Sequence, residues 1–143
     1  MGIASVIQNS AKADLLRAGT NFNTSGGTPA GHAFKIALYT NSTTLDTTTT
    51  AYGGPSDEVS GSGYSSGGNA LTNTGVGTTT VTSFTDFSDT SWTSASFTAR
   101  GCLIYNTASI TGLTANRAVC SITFGGDKTV SSGTFTIQFP TND

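Results

Sequence analysis

The sequence predicts a mainly β chain: an antiparallel β-sandwich or jelly-roll-like body with one N-terminal amphipathic helix. Three observations carry this. Several short segments alternate apolar and polar residues with period two, and Gly, Asn, Asp and Ser turns separate them. Threonine is abundant, and its β-branching favours extended backbone. A helical repeat of apolar residues occurs in one segment only. At 143 residues the chain fits one globular domain that buries a core without disulfide or metal. Residues 1–19 form the helical arm in this reading and residues 20–143 the β-sandwich domain.

From Ile3 to Ala18 the apolar residues Ile3, Val6, Ile7, Ala11, Leu15 and Leu16 recur every three to four positions, with Gln8, Lys12 and Arg17 between them and Gly19 as the expected cap. Packing against its own sheet and docking on a neighbouring subunit are both open to this helix. Ile3, Val6, Ile7, Leu15 and Leu16 are therefore the candidate subunit-interface residues. Thr20 to Gly31 reads as a glycine loop, with His32 expected at the surface. In Ala33 to Thr40, Phe34, Ile36 and Leu38 alternate with Lys35, Ala37 and Tyr39, as in a half-buried strand. Thr43 to Thr50 is expected to be extended and solvated. Gly53 to Gly68 reads as a long loop with a short strand near Glu58-Val59, and alternating Val76, Thr78, Thr80 and Thr82 follow.

Phe84, Phe87, Trp92, Phe97 and Ala99 bring the aromatic weight of the core, with Thr85-Asp86 and Ser88-Asp89 as expected turn formers. The strongest hairpin joins Ala99–Asn106 to Arg117–Phe124 through the turn-rich segment 107–116. Leu103 and Tyr105 share one face of it, and Val119 is expected to point with Arg117 and Ser121. Gly125-Gly126-Asp127 is then expected to turn the chain into a last strand in which Phe135, Ile137 and Phe139 face inward and Pro140 ends the run.

Function classes narrow by chemistry. Charged residues make up 10% of the chain and there is one histidine, so few tunable groups exist from which to build a catalytic centre, and no enzymatic activity is expected. Six basic and eight acidic side chains provide no cationic stripe for phosphates, so neither nucleic acid nor membrane is an expected partner. No apolar run reaches the ~18 residues of a membrane span. Met1-Gly2-Ile3-Ala4-Ser5 lacks the features of a signal peptide, which points to cytoplasmic synthesis.

The string Gly63-Tyr64-Ser65-Ser66-Gly67 matches a nucleophile elbow in form only, because no helical pattern follows it and His32 lies far upstream. As a phosphate loop, residues 61–67 lack the surrounding βαβ pattern. Asn23-Thr24-Ser25 and Asn41-Ser42-Thr43 fit the glycosylation pattern without an export signal to give it meaning. Asp57-Glu58, and Asp86 with Asp89, lack cation-loop spacing and read as exposed acidic turns. Two cysteines and one distant histidine are too few for structural zinc, so no cofactor or metal is expected. Cys102 and Cys120 read by default as reduced, buried small residues; a bridge is geometrically open if the hairpin closes symmetrically. Tyr52 and Tyr64, expected to be exposed in glycine loops, are candidate aromatics for stacking on a sugar, in a receptor- or glycan-binding role.

Several strings form a recognisable set: residues 34–40 (Phe34 to Thr40), residues 58–64 (Glu58 to Tyr64) followed by Gly67-Gly68, residues 98–106 (Thr98 to Asn106), Asn116-Arg117-Ala118-Val119, and Phe124-Gly125-Gly126-Asp127-Lys128-Thr129. Together they resemble a widespread family of small virion structural proteins of tailed bacteriophages, over nearly the whole chain from the helix to Pro140. The resemblance implies a virion component with no catalytic residues. It further implies a capsid decoration or cement protein on the outside of the head, partnered by the major capsid protein and by copies of itself, commonly as a homotrimer. Placement on the tail, neck or fibre is the alternative. Cys102 and Cys120 stand where small alanine-like residues are expected from the resemblance.

Overall fold

The structure is a computed structural model that describes residues 2–54 and 56–141. It is mainly β and antiparallel, with a single short helix near the N-terminus among the described residues. The elements in chain order are β1 (Val6–Ile7), α1 (Asn9–Leu16), β2 (Phe34–Tyr39), β3 (Asn69–Leu71), β4 (Asn73–Thr78), β5 (Ser83–Phe87), β6 (Thr90–Asn106) and β7 (Arg117–Ile137). Five of the strands form one sheet in the order β1-β7-β6-β2-β3, and β4 and β5 pair as a separate ribbon.

The β6–β7 hairpin dominates. Its strands run 17 and 21 residues, and four register shifts bend it, since each extra residue in one strand kinks the ladder and increases its twist. The largest shift overturns the turn expected at Gly125-Gly126-Asp127. Ala99 pairs with Lys128 and Gly101 with Thr123, so Phe124 to Asp127 bulge out opposite Arg100 and the strand continues. A smaller bulge at Val119 moves that side chain away from Arg117 and Ser121 and into the main core. Thr85-Asp86, expected as a turn, lies within β5, whereas Ser88-Asp89 does link β5 to β6.

Bending lets both halves of the hairpin contribute to one core. Cys102 and Ile104 from the near half join Trp92, Ala95, Phe97 and Ala99 from the far half over Phe34, Ile36 and Leu38 of β2. Edge contacts among Trp92, Phe97 and Phe135 knit it. Phe135, Ile137 and Phe139 face this core, as the alternation predicts. Phe84 does not enter it and instead covers Gly77.

The other face of the sheet is also covered, so β2 is buried on both sides and not half-buried as its alternation predicts. Ala37 and Tyr39 pack with Leu103, Tyr105, Ala118, Ile3 and Leu45 in a second cluster. Residues 43–50, expected to be extended and solvated, fold into turns that bury Leu45, which bridges Ile3. Thr48 donates to Asp46 Oδ1 through its amide at 2.7 Å and its hydroxyl at 2.6 Å, which lowers the Asp46 pKa.

The chain reaches β3 through a loop that lies back on the edge of β2: Glu58 pairs with Tyr39, and Asn69 with Ile36. Gly68 makes that approach possible. Its φ is +67°, and a Cβ there would lie 1.8 Å from the Ile36 carbonyl oxygen. Gly68→Ala is accordingly expected to destabilise the fold by about 3 kcal/mol, read as a shift in the urea midpoint, while Gly26→Ala, where a Cβ meets nothing, leaves the midpoint in place.

Candidate functional site

The expected N-terminal helix is shorter, and its apolar residues divide between the core and the surface. The β-branched Val6 and Ile7 pair with Ser121 and Cys120 of β7, consistent with their strand preference. The helix begins only at Asn9 and has no capping side chain, no acid in its first turn and no base in its last. Its left-handed C-terminal residue is Ala18 (φ 57°), not Gly19. Gly19 is needed for another reason, because a Cβ there would lie 2.6 Å from the Leu113 side chain.

The side of α1 facing the body carries Ala11 and Asp14. At 100° per residue this turns Lys12, Leu15 and Leu16 outward. Leu16 is 92% exposed, Leu15 49% and Ile7 53%. Ile3, by contrast, is buried in the second cluster, and Val6 is half-buried in its pairing with β7. The five candidate interface residues therefore separate: Ile7, Leu15 and Leu16 remain available at the surface, while Ile3 serves the chain's own core.

A buried ion pair fixes this rotation. Arg117 Nε stands 3.1 Å from Asp14 Oδ2, with the two side chains 3% and 6% exposed. The contact is ionic, since the Nε–H is not aligned for a hydrogen bond to the carboxylate. The rest of the guanidinium is held by backbone: Nη1 donates to the carbonyls of Ala108 and Thr114, and Nη2 to that of Gly19. One side chain thus ties the end of α1 and the 107–116 loop to the start of β7. Beside it lies a recess of about 200 Å³ lined by Ser10, Ala13, Asp14, Arg17, Leu113 and Arg117, among others. Asp14 stands out in the sequence only as an acid interrupting an apolar repeat, and its partner lies too far along the chain to be inferred from it.

Glu58 forms a second anchor, which corrects its reading as an exposed acid. Its buried carboxylate accepts from Tyr64 Oη at 2.6 Å and Gly67 N at 2.7 Å on Oε1, and from Tyr52 Oη at 2.8 Å and Ser66 Oγ at 3.0 Å on Oε2. Tyr64 Oη also accepts from the Leu38 amide, and Tyr105 Oη donates to the Gly67 carbonyl. Burial raises the pKa of Tyr39, Tyr52 and Tyr64, and that of Tyr105 to about 12, with the charge of Glu58 acting in the same direction on each. All four phenols stay neutral donors at physiological pH.

Neither candidate loop aromatic is free. Tyr64 packs against Trp92 and Phe97, and Tyr52 stacks on Tyr105 with centroids 4.6 Å apart. Both are half-buried, because a hydroxyl bonded to a buried carboxylate draws its ring onto the body.

His32 is also only half-exposed. Its Nδ1 accepts from the Asn21 amide at 3.3 Å and lies 2.9 Å from Asn106 Nδ2. Since the Asn106 oxygen already accepts from the Ala108 amide, the Asn106 amide group is the donor and the ring is neutral at Nδ1. Burial, then the positive charge of Arg117, lowers the His32 pKa. Cys102 and Cys120 are free thiols. The Val119 bulge offsets the register, pairing Cys102 with Ile122 and Cys120 with Ile104, so the cysteines sit diagonally instead of opposite each other. Burial raises the pKa of Cys102, and that of Cys120 to about 11, so both thiols are unreactive protonated groups at neutral pH.

No protein-family model, curated protein or solved structure matches this chain. Among the described residues no three His, Cys, Asp or Glu side chains gather to hold a metal ion, and no helix is long and apolar enough to cross a membrane. What the geometry offers is a pinned apolar surface on α1 and β1, together with two anchors already occupied by the chain's own groups.

Asp14→Ala leaves Arg117 as an uncompensated buried charge and is expected to cost about 3–5 kcal/mol, measured by chemical denaturation, whereas Leu16→Ala changes stability by less than about 0.5 kcal/mol. His32 supplies a pH test. A histidine whose folded pKa is depressed contributes stability that is complete above its unfolded value of about 6.5 and is lost as pH falls through the folded value. The melting temperature is therefore expected to hold steady above about pH 6.5 and to decline as the pH falls below it, and His32→Asn, which keeps an acceptor at that point, should flatten the decline.

Proposed function

We propose that this chain is a structural component of a tailed-bacteriophage virion, acting as a decoration or cement protein on the outside of the assembled head. One observation carries the assembly reading: the buried Asp14–Arg117 pair holds α1 so that Leu15 and Leu16 face solvent, as Ile7 of β1 also does. Turning Asp14 inward to pair with Arg117 leaves the two leucines as an apolar surface without a partner in the chain, and such a surface suits docking. The likeness of the strings at residues 34–40, 98–106 and 124–129 to small virion proteins supplies the setting. A surface of Thr and Ser over a doubly covered sheet suits a protein whose task is to persist and to dock.

In this reading the major capsid protein and further copies of the chain are the partners, and apolar area buried at about 25 cal/mol per Å² supports the contacts. The protein is made in the host cytoplasm and resides on the virion. The sugar-stacking alternative loses its basis, since Tyr52 and Tyr64 are already engaged with Tyr105, Trp92 and Glu58.

Quantitative mass spectrometry of purified virions tests the placement. A copy number near that of the major capsid protein is expected; a few copies per hundred moves the chain to the neck, tail or fibre, and absence from virions overturns the reading. In the same particles, Leu15→Ser/Leu16→Ser is expected to melt like the wild type and yet be depleted at least about tenfold, a loss of roughly 1.4 kcal/mol or more of docking energy.

A further inference from the structure

We infer that the recess between α1 and the 107–116 loop binds a small neutral polyol, a single sugar ring presenting adjacent hydroxyls. Its wall holds polar groups that the fold leaves without hydrogen-bond partners among the described residues. The Asp14 side chain is 6% exposed, yet its carboxylate accepts no hydrogen bond there: Arg117 Nε stands 3.1 Å from Oδ2 without being aligned, and Arg17 Nη1 comes only to 4.0 Å from Oδ1. Ser10 Oγ and Arg117 Nε are buried and equally unmatched. All four residues line the same recess of about 200 Å³. A buried ion pair is favourable only when its remaining lone pairs and protons are satisfied, and polar groups left unmatched in a folded chain call for a partner from outside it.

The wall also selects the chemistry of the occupant. Asp14 requires O–H or N–H donors, which a carboxylate or sulfate ion lacks. A cation would meet two guanidinium groups against one carboxylate, since Arg17 and Arg117 both line the recess. A neutral group that both donates and accepts remains. Two adjacent hydroxyls of a sugar ring answer each side: their protons go to the Asp14 oxygens, and their lone pairs accept from Ser10 Oγ and the exposed Arg17 side chain.

Ala13 and Leu113 add apolar wall for the C–H face of the ring, which water in the recess would leave uncovered. Arg117 is held by the carbonyls of Ala108, Thr114 and Gly19, so the site is ordered before a ligand arrives. The recess is smaller than the ~300 Å³ at which pockets for drug-sized ligands begin, which limits it to one ring and to weak, millimolar binding.

The inference is independent of the virion reading. Isotope-labelled full-length chain, titrated with glucose, galactose and mannose into the millimolar range and followed by NMR, tests it. At least one hexose is expected to shift the amide signals of Ser10, Ala13, Asp14, Arg17 and Leu113 saturably while those of the β4–β5 ribbon stay in place. Ser10→Ala is expected to weaken that binding about fivefold, the loss of one hydrogen bond. Ala13→Leu, which fills the recess with a good helix former, should abolish it, with the circular dichroism of both variants unchanged. Signals that move with no hexose leave the recess to water and overturn the inference, as does a response to acetamide, acetate or guanidinium alone. Shifts that persist undiminished in Ala13→Leu put the sugar elsewhere and overturn the site. A chain absent from virions that still binds a hexose leaves this inference standing; a chain that decorates heads and binds none overturns this inference alone.

Discussion

The β6–β7 hairpin is the constraint on which the rest of the chain depends. It pairs with β2 along one side and β1 along the other, and its residues enter both apolar clusters. A hairpin this long would be a flat, two-faced ribbon if its register were unbroken. The bulges bend it, so one continuous pair of strands supplies aromatic residues from its far half and aliphatic ones from its near half to a single core. The cost of those bulges is met locally: Ser94 and Ser132 take left-handed backbone, and Gly125 does so without a side chain to strain.

Two buried charged groups then determine what lies on the hairpin's neighbours. Glu58 collects four donors from one loop and clasps it to the edge of β2; Arg117 collects three carbonyls and a carboxylate and clasps the helix to the start of β7. Each is a polar network in a protein poor in charge, and a burial that leaves few lone pairs unmatched gives a group one geometry instead of several. Both networks are internal, and they order the surface around them.

The β class, the β2 alternation, the 107–116 connection and the terminal strand were legible because each depends on local pattern: period two, turn residues, and a proline after the last inward aromatic. The facing of α1 was not. Its apolar residues do recur with helical spacing, but Ile3, Val6 and Ile7 are β-branched and found strand partners, leaving a helix too short for its pattern to decide which face turns inward. The bulges were equally hidden, since Gly125-Gly126-Asp127 satisfies the chemistry of a turn as readily as that of an inserted loop within a strand. For the same reason the cysteines, opposite one another in a symmetric hairpin, came to lie diagonally once Val119 was extruded.

Composition and periodicity by themselves determined that this chain folds as antiparallel β structure around aromatic residues, with few titratable groups and no basic stripe, because those properties are sums over near neighbours in the chain. Only the tertiary structure decided that Glu58 and Asp14 are buried, that Tyr52 and Tyr64 are engaged, and that Leu15 and Leu16 face outward. Asp14, Tyr52 and Tyr64 meet partners far away in sequence, Glu58 is buried by a loop whose closure no periodic pattern announces, and the energy of a buried charge is set by what surrounds it in space.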